Sequence, residues 1–348
     1  MKRIVTIIIC LLVSCVCLAA GAQDGSWGQI NQPVERPENW QPFVQSSPFI
    51  LGEKAEAGST NGMAFYRRPW GSYPSLDGST VCVPMAMELA RQLLDMREDD
   101  LKGFVAFSTT HYAYERLIGS TPNPTVTIQS ENVMMDNTHP VDVILATEPS
   151  DDELKMAADA GVTLKKVPFC YDAFVFLVNA KNPVNDLSLE EIRGIYTGAV
   201  RNWSAVGGAD AGIIPFQREP NSGSQTAMEN LVMKGVPLSG AVDNYVSDGM
   251  SDLVRQIGNY DNGGNSIGYS YLYYIENLYK SGELKVLSVN GIAPADENLR
   301  SGAYPFATCY YAVYRQGDED AAAFANWLQG EEGQKCVAQA GYIPYVSP

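Results

Sequence analysis

The order of apolar runs along this chain predicts an α/β protein with largely parallel sheets. Two observations carry that prediction. Short β-rich runs alternate with helical segments: "FVAF" (104–107) precedes "STTHYAYERLI" (108–118), "VDVILA" (141–146) precedes "TEPSDDELKMAADAG" (147–161), and "AFVFLVN" (173–179) precedes "SLEEIRGIYTG" (188–198). The helix starts also announce themselves. Ser150 with Glu153 and Ser188 with Glu191 have capping-box spacing, and Gly161 and Gly194 fall where helices are expected to stop.

Residues 1–22 read as a secretory signal. Lys2 and Arg3 precede an apolar run from Ile4 to Ala20, and Ala20-Gly21-Ala22 offers a small-residue cleavage site. The alternative is a lipoprotein anchored at Cys15, because Leu12-Val13-Ser14-Cys15 resembles a lipobox; Val16 to Ala20 continue the apolar run and speak for cleavage after Ala22. Either way the chain is exported, to the periplasm or another extracytoplasmic space. Residues 23–72 read as an N-terminal arm or linker with scattered Pro and Gly. The roughly 325 residues left after cleavage exceed one comfortable core, so two domains are expected.

Charge narrows the partners. The net charge of −16 becomes −18 when Lys2 and Arg3 leave with the signal. Nucleic acid and anionic membrane surfaces demand clustered Lys and Arg, so neither is an expected partner. A small anion remains compatible, because local dipoles and one Arg act at short range. Of seven cysteines, only Cys82, Cys170, Cys309 and Cys336 lie beyond the signal, and none forms a CxxC pair, so no metal site is expected. They are either buried thiols or disulfides. No cofactor is expected.

In open α/β sheets, ligands gather where strands lead into helix N-termini. Four such loops here are rich in hydroxyls. The first is Gly78-Ser79-Thr80: Gly78 permits a tight turn, Ser79 or Thr80 caps the next helix, and Pro84 fits only its first turn. Val83, Met87, Ala90 and Leu94 then give that helix its buried stripe. The second is Ser108-Thr109-Thr110, followed by His111, for which a capping or surface role is expected. The third is Thr147-Glu148 at the end of a buried strand. Glu148 is either a solvated loop residue or an acceptor for a proton carried by the ligand. In the fourth, Arg218 offers a planar fork, Ser222 and Ser224 offer hydroxyls, Gly223 allows close backbone approach, and Thr226 with Glu229 resembles a capping box.

Arg218-x-x-x-Ser222-Gly223-Ser224 resembles the Arg-x-x-x-Ser-Gly-Thr signature of the phosphate-binding proteins of ABC transporters, and "LDGST" (76–80) resembles their first ligand loop. "IYTGAVRNWSAVGG" (195–208), "IGYSYL" (267–272) and "WLQGEEGQKCVAQAGYIPY" (327–345) are similar to further blocks of the same family, so the likeness spans roughly residues 73–345. It implies the two-lobed type II periplasmic-binding-protein fold, with two mixed, mostly parallel sheets joined by a two-strand hinge. Lobe 1 would take residues 73–167 plus 305–348 and lobe 2 residues 168–304. Crossovers would fall near Pro168–Asp172 and Tyr304–Cys309, setting Cys170 and Cys309 in neighbouring strands where a disulfide between them is one expectation.

The resemblance also implies a phosphate site of Ser79, Thr80, Thr110, Thr147, Glu148, Arg218, Ser222, Gly223 and Ser224, with Ser108 and Thr109 as alternatives to Thr110. Glu148 stands where the family has Asp, and Ser224 where it has Thr. The implied function is capture of inorganic phosphate and delivery to the membrane subunits of an ABC transporter. The rivals are a receptor for another small oxyanion or phosphate ester, and a phosphate sensor without a transport role. A hydrolase is not expected: there is no G-x-S-x-G elbow and no Walker-type loop, and His111 and His139 are the only histidines.

Overall fold

The protein, a computed structural model, is described over residues 73–119 (without 95, 97, 99–100, 102–103 and 106), 141–239 and 265–345. The helix Met250–Asn259 and the backbone of three short strands, 57–60, 63–66 and 246–247, complete the description. The signal segment, most of the arm and His139 lie outside the described residues.

In chain order the strands are β1 (Ala57–Thr60), β2 (Met63–Tyr66), β3 (Leu76–Gly78), β4 (Val143–Ala146), β5 (Leu164–Asn179), β6 (Asp186–Leu187) and β7 (Ile214–Pro215). They continue with β8 (Gln217–Arg218), β9 (Val246–Ser247), β10 (Ser266–Tyr271), β11 (Leu284–Val286), β12 (Ser288–Val289), β13 (Ala307–Arg315) and β14 (Ile343–Pro344). Eight form one mixed sheet along the path β3-β4-β13-β5-β10-β7, with β11 and β14 also paired to β5. Parallel pairing holds at the flanks, β3 with β4 and β7 with β10. The centre is antiparallel, because β13 and β10 both run against β5. The sheet is therefore less parallel than the strand–helix alternation implies.

The length of β5 organises the molecule. Its first part pairs with β13 from Leu164 to Ala173, and its second part pairs with β10 from Phe174 to Val178. Composition follows the change of partner. Lys165 and Lys166 are exposed, whereas every residue from Ala173 to Asn179 is buried, as expected of a strand covered on both faces. Asp172 sits at the exchange point, fully buried, accepting from Tyr310 Oη at 2.6 Å, Ala173 N at 2.7 Å and Tyr273 N at 3.1 Å.

Local expectations fare unevenly. Both capping boxes form with reciprocal bonds, Ser150 with Glu153 and Ser188 with Glu191. Gly161 adopts φ +69° just past the helix Asp151–Asp159. Gly194 does not end its helix, which runs Leu189–Tyr196; its bare Cα admits Val200, whose Cγ2 would lie 2.8 Å from a Cβ there. The described residues of "FVAF" form no strand: Phe104 is helical and Phe107 irregular, although both are buried. The helix Val83–Leu94 buries all round, not on one stripe, and pairs Arg91 with Glu88 within it and with Glu98 beyond its end. Cys82, Cys170, Cys309 and Cys336 are thiols. Cys170 faces Tyr310 across the ladder while Cys309 faces Tyr171, so the two side chains leave opposite faces of the sheet and no bond joins them.

Candidate functional site

Three loops that lead into helices, two of them following β3 and β4, meet a fourth that follows β8. β3 ends at Gly78, packed so closely on β4 that a Cβ would lie 2.1 Å from Leu145 O; only glycine fits. The chain then turns, with Ser79 N bonded to Leu145 O at 2.9 Å, into a 3-10 turn Thr80–Cys82 that leads into the helix Val83–Leu94. Ser79 occupies the N-cap position without a side-chain cap bond, which leaves its hydroxyl for other work. It lies 2.7 Å from Thr110 Oγ1. Thr110 begins the helix Thr110–Ile118, whose first-turn N–H groups have no partner within the helix.

Thr147 follows β4, its carbonyl held by Tyr114 Oη at 2.7 Å. Its own hydroxyl is buried and makes no well-formed hydrogen bond, although the Tyr271 phenol is a near neighbour. That phenol donates instead to Gly223 O at 3.0 Å. A buried hydroxyl without a partner costs free energy, so its retention here points to a group it meets in use.

The fourth loop follows β8, which pairs with β9 apart from the eight-stranded sheet. Ser222 caps the helix Gly223–Ala227, its hydroxyl accepting from Gln225 N at 3.3 Å. Thr226 lies inside that helix, so the Thr226–Glu229 cap does not form. A Cβ on Gly223 would stand 2.8 Å from Thr147 Oγ1 and 3.0 Å from Thr110 Oγ1. The glycine thus carries its helix start to within touching distance of two hydroxyls from the opposite loops. Ser224 Oγ lies 3.5 Å from Arg218 Nη1, and both residues are buried. Arg218 is held by its backbone: its N–H reaches Tyr269 Oη at 3.0 Å and Gln225 Oε1 at 3.2 Å, and Tyr269 donates to Gln225 as well.

Ser79, Thr110, Thr147, Arg218, Gly223 and Ser224 are therefore gathered at one place, with Ser222 behind them as the cap. Thr80 is the first residue of the 3-10 turn and is partly exposed. Ser108 faces inward, away from this cluster, donating to Asp77 at 2.6 Å, and Thr109 is exposed. Glu148 is not gathered with the others. Its carboxylate pairs with Lys166 of β5 on the half-exposed sheet face, where Lys166 also lies 5.0 Å from the Tyr311 ring centroid. The physical reason is local: a cation beside a partly solvated carboxylate removes any need to bury it. His111 bonds Glu153 at 3.0 Å on the neighbouring helix.

Sequence reading misses Asp77, Tyr269, Tyr271 and Gln225. The three aromatic and amide residues lie in or beside the quoted blocks, but only the fold brings Tyr269 and Tyr271 against residues more than forty positions away. Burial pushes both phenols well above their ordinary range, so they act here as neutral donors. Among the described residues no group of His, Cys, Asp and Glu could hold a metal, and no helix is long and apolar enough to cross a membrane.

Chemically, the cluster is a nest of neutral hydroxyls and helix-start N–H groups with one guanidinium, the makings of a small-oxyanion pocket. The α/β architecture is that of the type II periplasmic binding proteins. A family model described as a PBP superfamily domain matches residues 113–332, and the chain belongs to that superfamily. A protein of Borreliella burgdorferi named phosphate-binding protein PstS is 28% identical over 185 residues, covering 51% of this chain and 65% of the relative. Its namesake in Bacillus subtilis is 31% identical over 179 residues, 49% of this chain and 56% of the relative. The chain thus spans less than two thirds of the length of these relatives. The fold matches a Clostridium perfringens structure described as a putative phosphate ABC transporter substrate-binding protein with bound phosphate, at TM-score 0.57, 24% identity, 78% coverage of this chain and 99% of the other. A Vibrio cholerae ABC-type phosphate transport receptor matches at TM-score 0.53, 20% identity, 78% and 99% coverage.

Proposed function

We propose that this chain is an extracytoplasmic receptor that holds inorganic phosphate between its two lobes and delivers it to the membrane subunits of an ABC transporter. One observation carries the reading: Gly223 approaches the Thr147 and Thr110 hydroxyls at 2.8 Å and 3.0 Å for a Cβ, so donors from loops far apart along the chain face one another. The names of the relatives support phosphate as the ligand, and the description of the two similar structures as a transporter substrate-binding protein and a transport receptor supports delivery.

Mechanism follows from the donor set. Ser79, Thr110, Thr147, Ser224 and the Gly223 helix start supply neutral hydrogen bonds, and Arg218 supplies the single formal charge. An anion stripped of water can then be held without an equal number of buried cations. Closure of the lobes about the β5–β13 crossover excludes water and strengthens each bond. Ser222 acts as the cap that fixes Gly223, Thr80 contributes a backbone N–H from its turn, and neither a cofactor nor catalysis enters.

A second reading, a fully ionised oxyanion such as sulfate, is favoured by the pairing of Glu148 with Lys166, which leaves no carboxylate among the gathered residues to accept a ligand proton. Thermal unfolding of the phosphate-stripped chain in phosphate and in sulfate separates the two. Stabilisation by phosphate alone supports the proposal, and stabilisation by sulfate alone rejects it.

A further inference from the structure

Beneath the first two hydroxyl loops Asp77 pairs with Arg116. Asp77 is fully buried at the end of β3. Its Oδ1 accepts from Gly78 N at 2.8 Å and from Ser108 N at 2.7 Å. Its Oδ2 accepts from Ser108 Oγ at 2.6 Å and from Arg116, two turns along the helix Thr110–Ile118. One carboxylate therefore ties together residues 31 and 39 positions apart. Both anchored loops continue directly into the oxyanion cluster: Gly78 is followed by Ser79, and Ser108 is separated from Thr110 only by Thr109. Thr109 holds φ +82°, a conformation unfavourable for a β-branched residue that needs its neighbours fixed. The fixed neighbour on one side is Ser108, and on the other Thr110 meets Ser79 at 2.7 Å.

We propose that Asp77 is a positioning residue for the oxyanion site: it does not touch the ligand, and it sets the spacing of Ser79 and Thr110 by holding Gly78 and Ser108 in one carboxylate. This rests on the reading of the cluster as an oxyanion site. Arg116 cancels the charge, so a buried anion can stand under an anion-binding site without repelling the ligand. Burial raises the Asp77 carboxyl while Arg116 and the Ser108 bonds pull it back.

The sign of one substitution separates positioning from electrostatics. Asp77→Asn removes a negative charge near the site and leaves Arg116 uncompensated, so charge alone would tighten anion binding. The same change sets an amide NH₂ against Arg116 and forces the Ser108 hydroxyl to turn and accept, which loses the Arg116 tie and leaves the second loop held mainly by Ser108 N, so positioning would loosen binding. Calorimetric titration with inorganic phosphate is run on the wild-type chain, on Asp77→Asn and on Ser108→Ala, with unliganded thermal unfolding alongside. The expected result is binding by the wild type, at least tenfold weaker binding by Asp77→Asn, and a loss of about threefold in Ser108→Ala, which keeps the backbone bond. Equal or tighter binding by a folded Asp77→Asn overturns the inference while leaving phosphate as the ligand. If Asp77→Asn does not fold, Ser108→Ala decides, and unchanged affinity there overturns it. A wild-type chain that binds no phosphate instead defeats the functional reading, and the inference with it.

Discussion

Gly223→Ala adds one methyl group to the place where the two sets of loops meet. Its Cβ would lie 2.8 Å from Thr147 Oγ1 and 3.0 Å from Thr110 Oγ1, several tenths of an ångström closer than a methyl and a hydroxyl tolerate. The backbone offers no objection, because Gly223 is not among the glycines with positive φ and opens a helix, where Ala is preferred by roughly 0.5–1 kcal/mol. That gain offsets part of the clash, so unliganded stability should change by no more than about 1 kcal/mol, a few degrees in Tm. Binding has no such compensation. Displacing two hydroxyls so that each bond to a charged ligand is about half lost removes about 1.5–3 kcal/mol in all, which predicts weakening of roughly tenfold to a hundredfold. Calorimetric titration with phosphate, paired with thermal unfolding of the free chain, checks both halves. The reasoning fails if Gly223→Ala binds within threefold of wild type at unchanged stability.

Two further perturbations bear on the fold and the rim. Burial pushes the Asp172 carboxyl up to about 7, so between about pH 4 and 7 the folded chain keeps a proton that the unfolded chain releases. Stability must fall as pH rises through that window, by on the order of 4 kcal/mol from this group once it is ionised in both states. Asp172→Asn retains acceptors for Ala173 N and Tyr273 N, and should flatten the decline in Tm between pH 5 and pH 8; parallel wild-type and variant curves would refute the assignment. Glu148→Gln breaks only a half-exposed pair with Lys166, worth about 0–1 kcal/mol. Phosphate affinity within threefold of wild type is expected on titration, and a larger loss would return Glu148 to the ligand.

Much of the site was legible because its residues cluster in short loops with local signals. Ser150 and Ser188 cap their helices through partners three residues away, and Gly78-Ser79-Thr80 and Ser222-Gly223-Ser224 sit where strands hand over to helices. What the sequence hid depends on partners distant along the chain. The pairing of Glu148 with Lys166 exists because β5 runs beside the loop after β4, and the role of Asp77 appears only when Ser108 and Arg116 fold over it. Gly194 looked like a helix stop and serves instead as a place for Val200 to pack, a use of a missing side chain that spacing does not reveal. Parallel pairing was overestimated for the same reason: β13 returns from far along the chain to lie antiparallel between β4 and β5.

Arg218 is the one formal positive charge among the gathered residues, buried and 3.5 Å from Ser224 Oγ. Titration of the phosphate-stripped chain with phosphate, for the wild type and for Arg218→Ala, measures that claim. Saturable one-to-one binding by the wild type, weakened at least a hundredfold in the variant, is the predicted result. Equal affinity in the two proteins would contradict it and move the ligand to another part of the molecule.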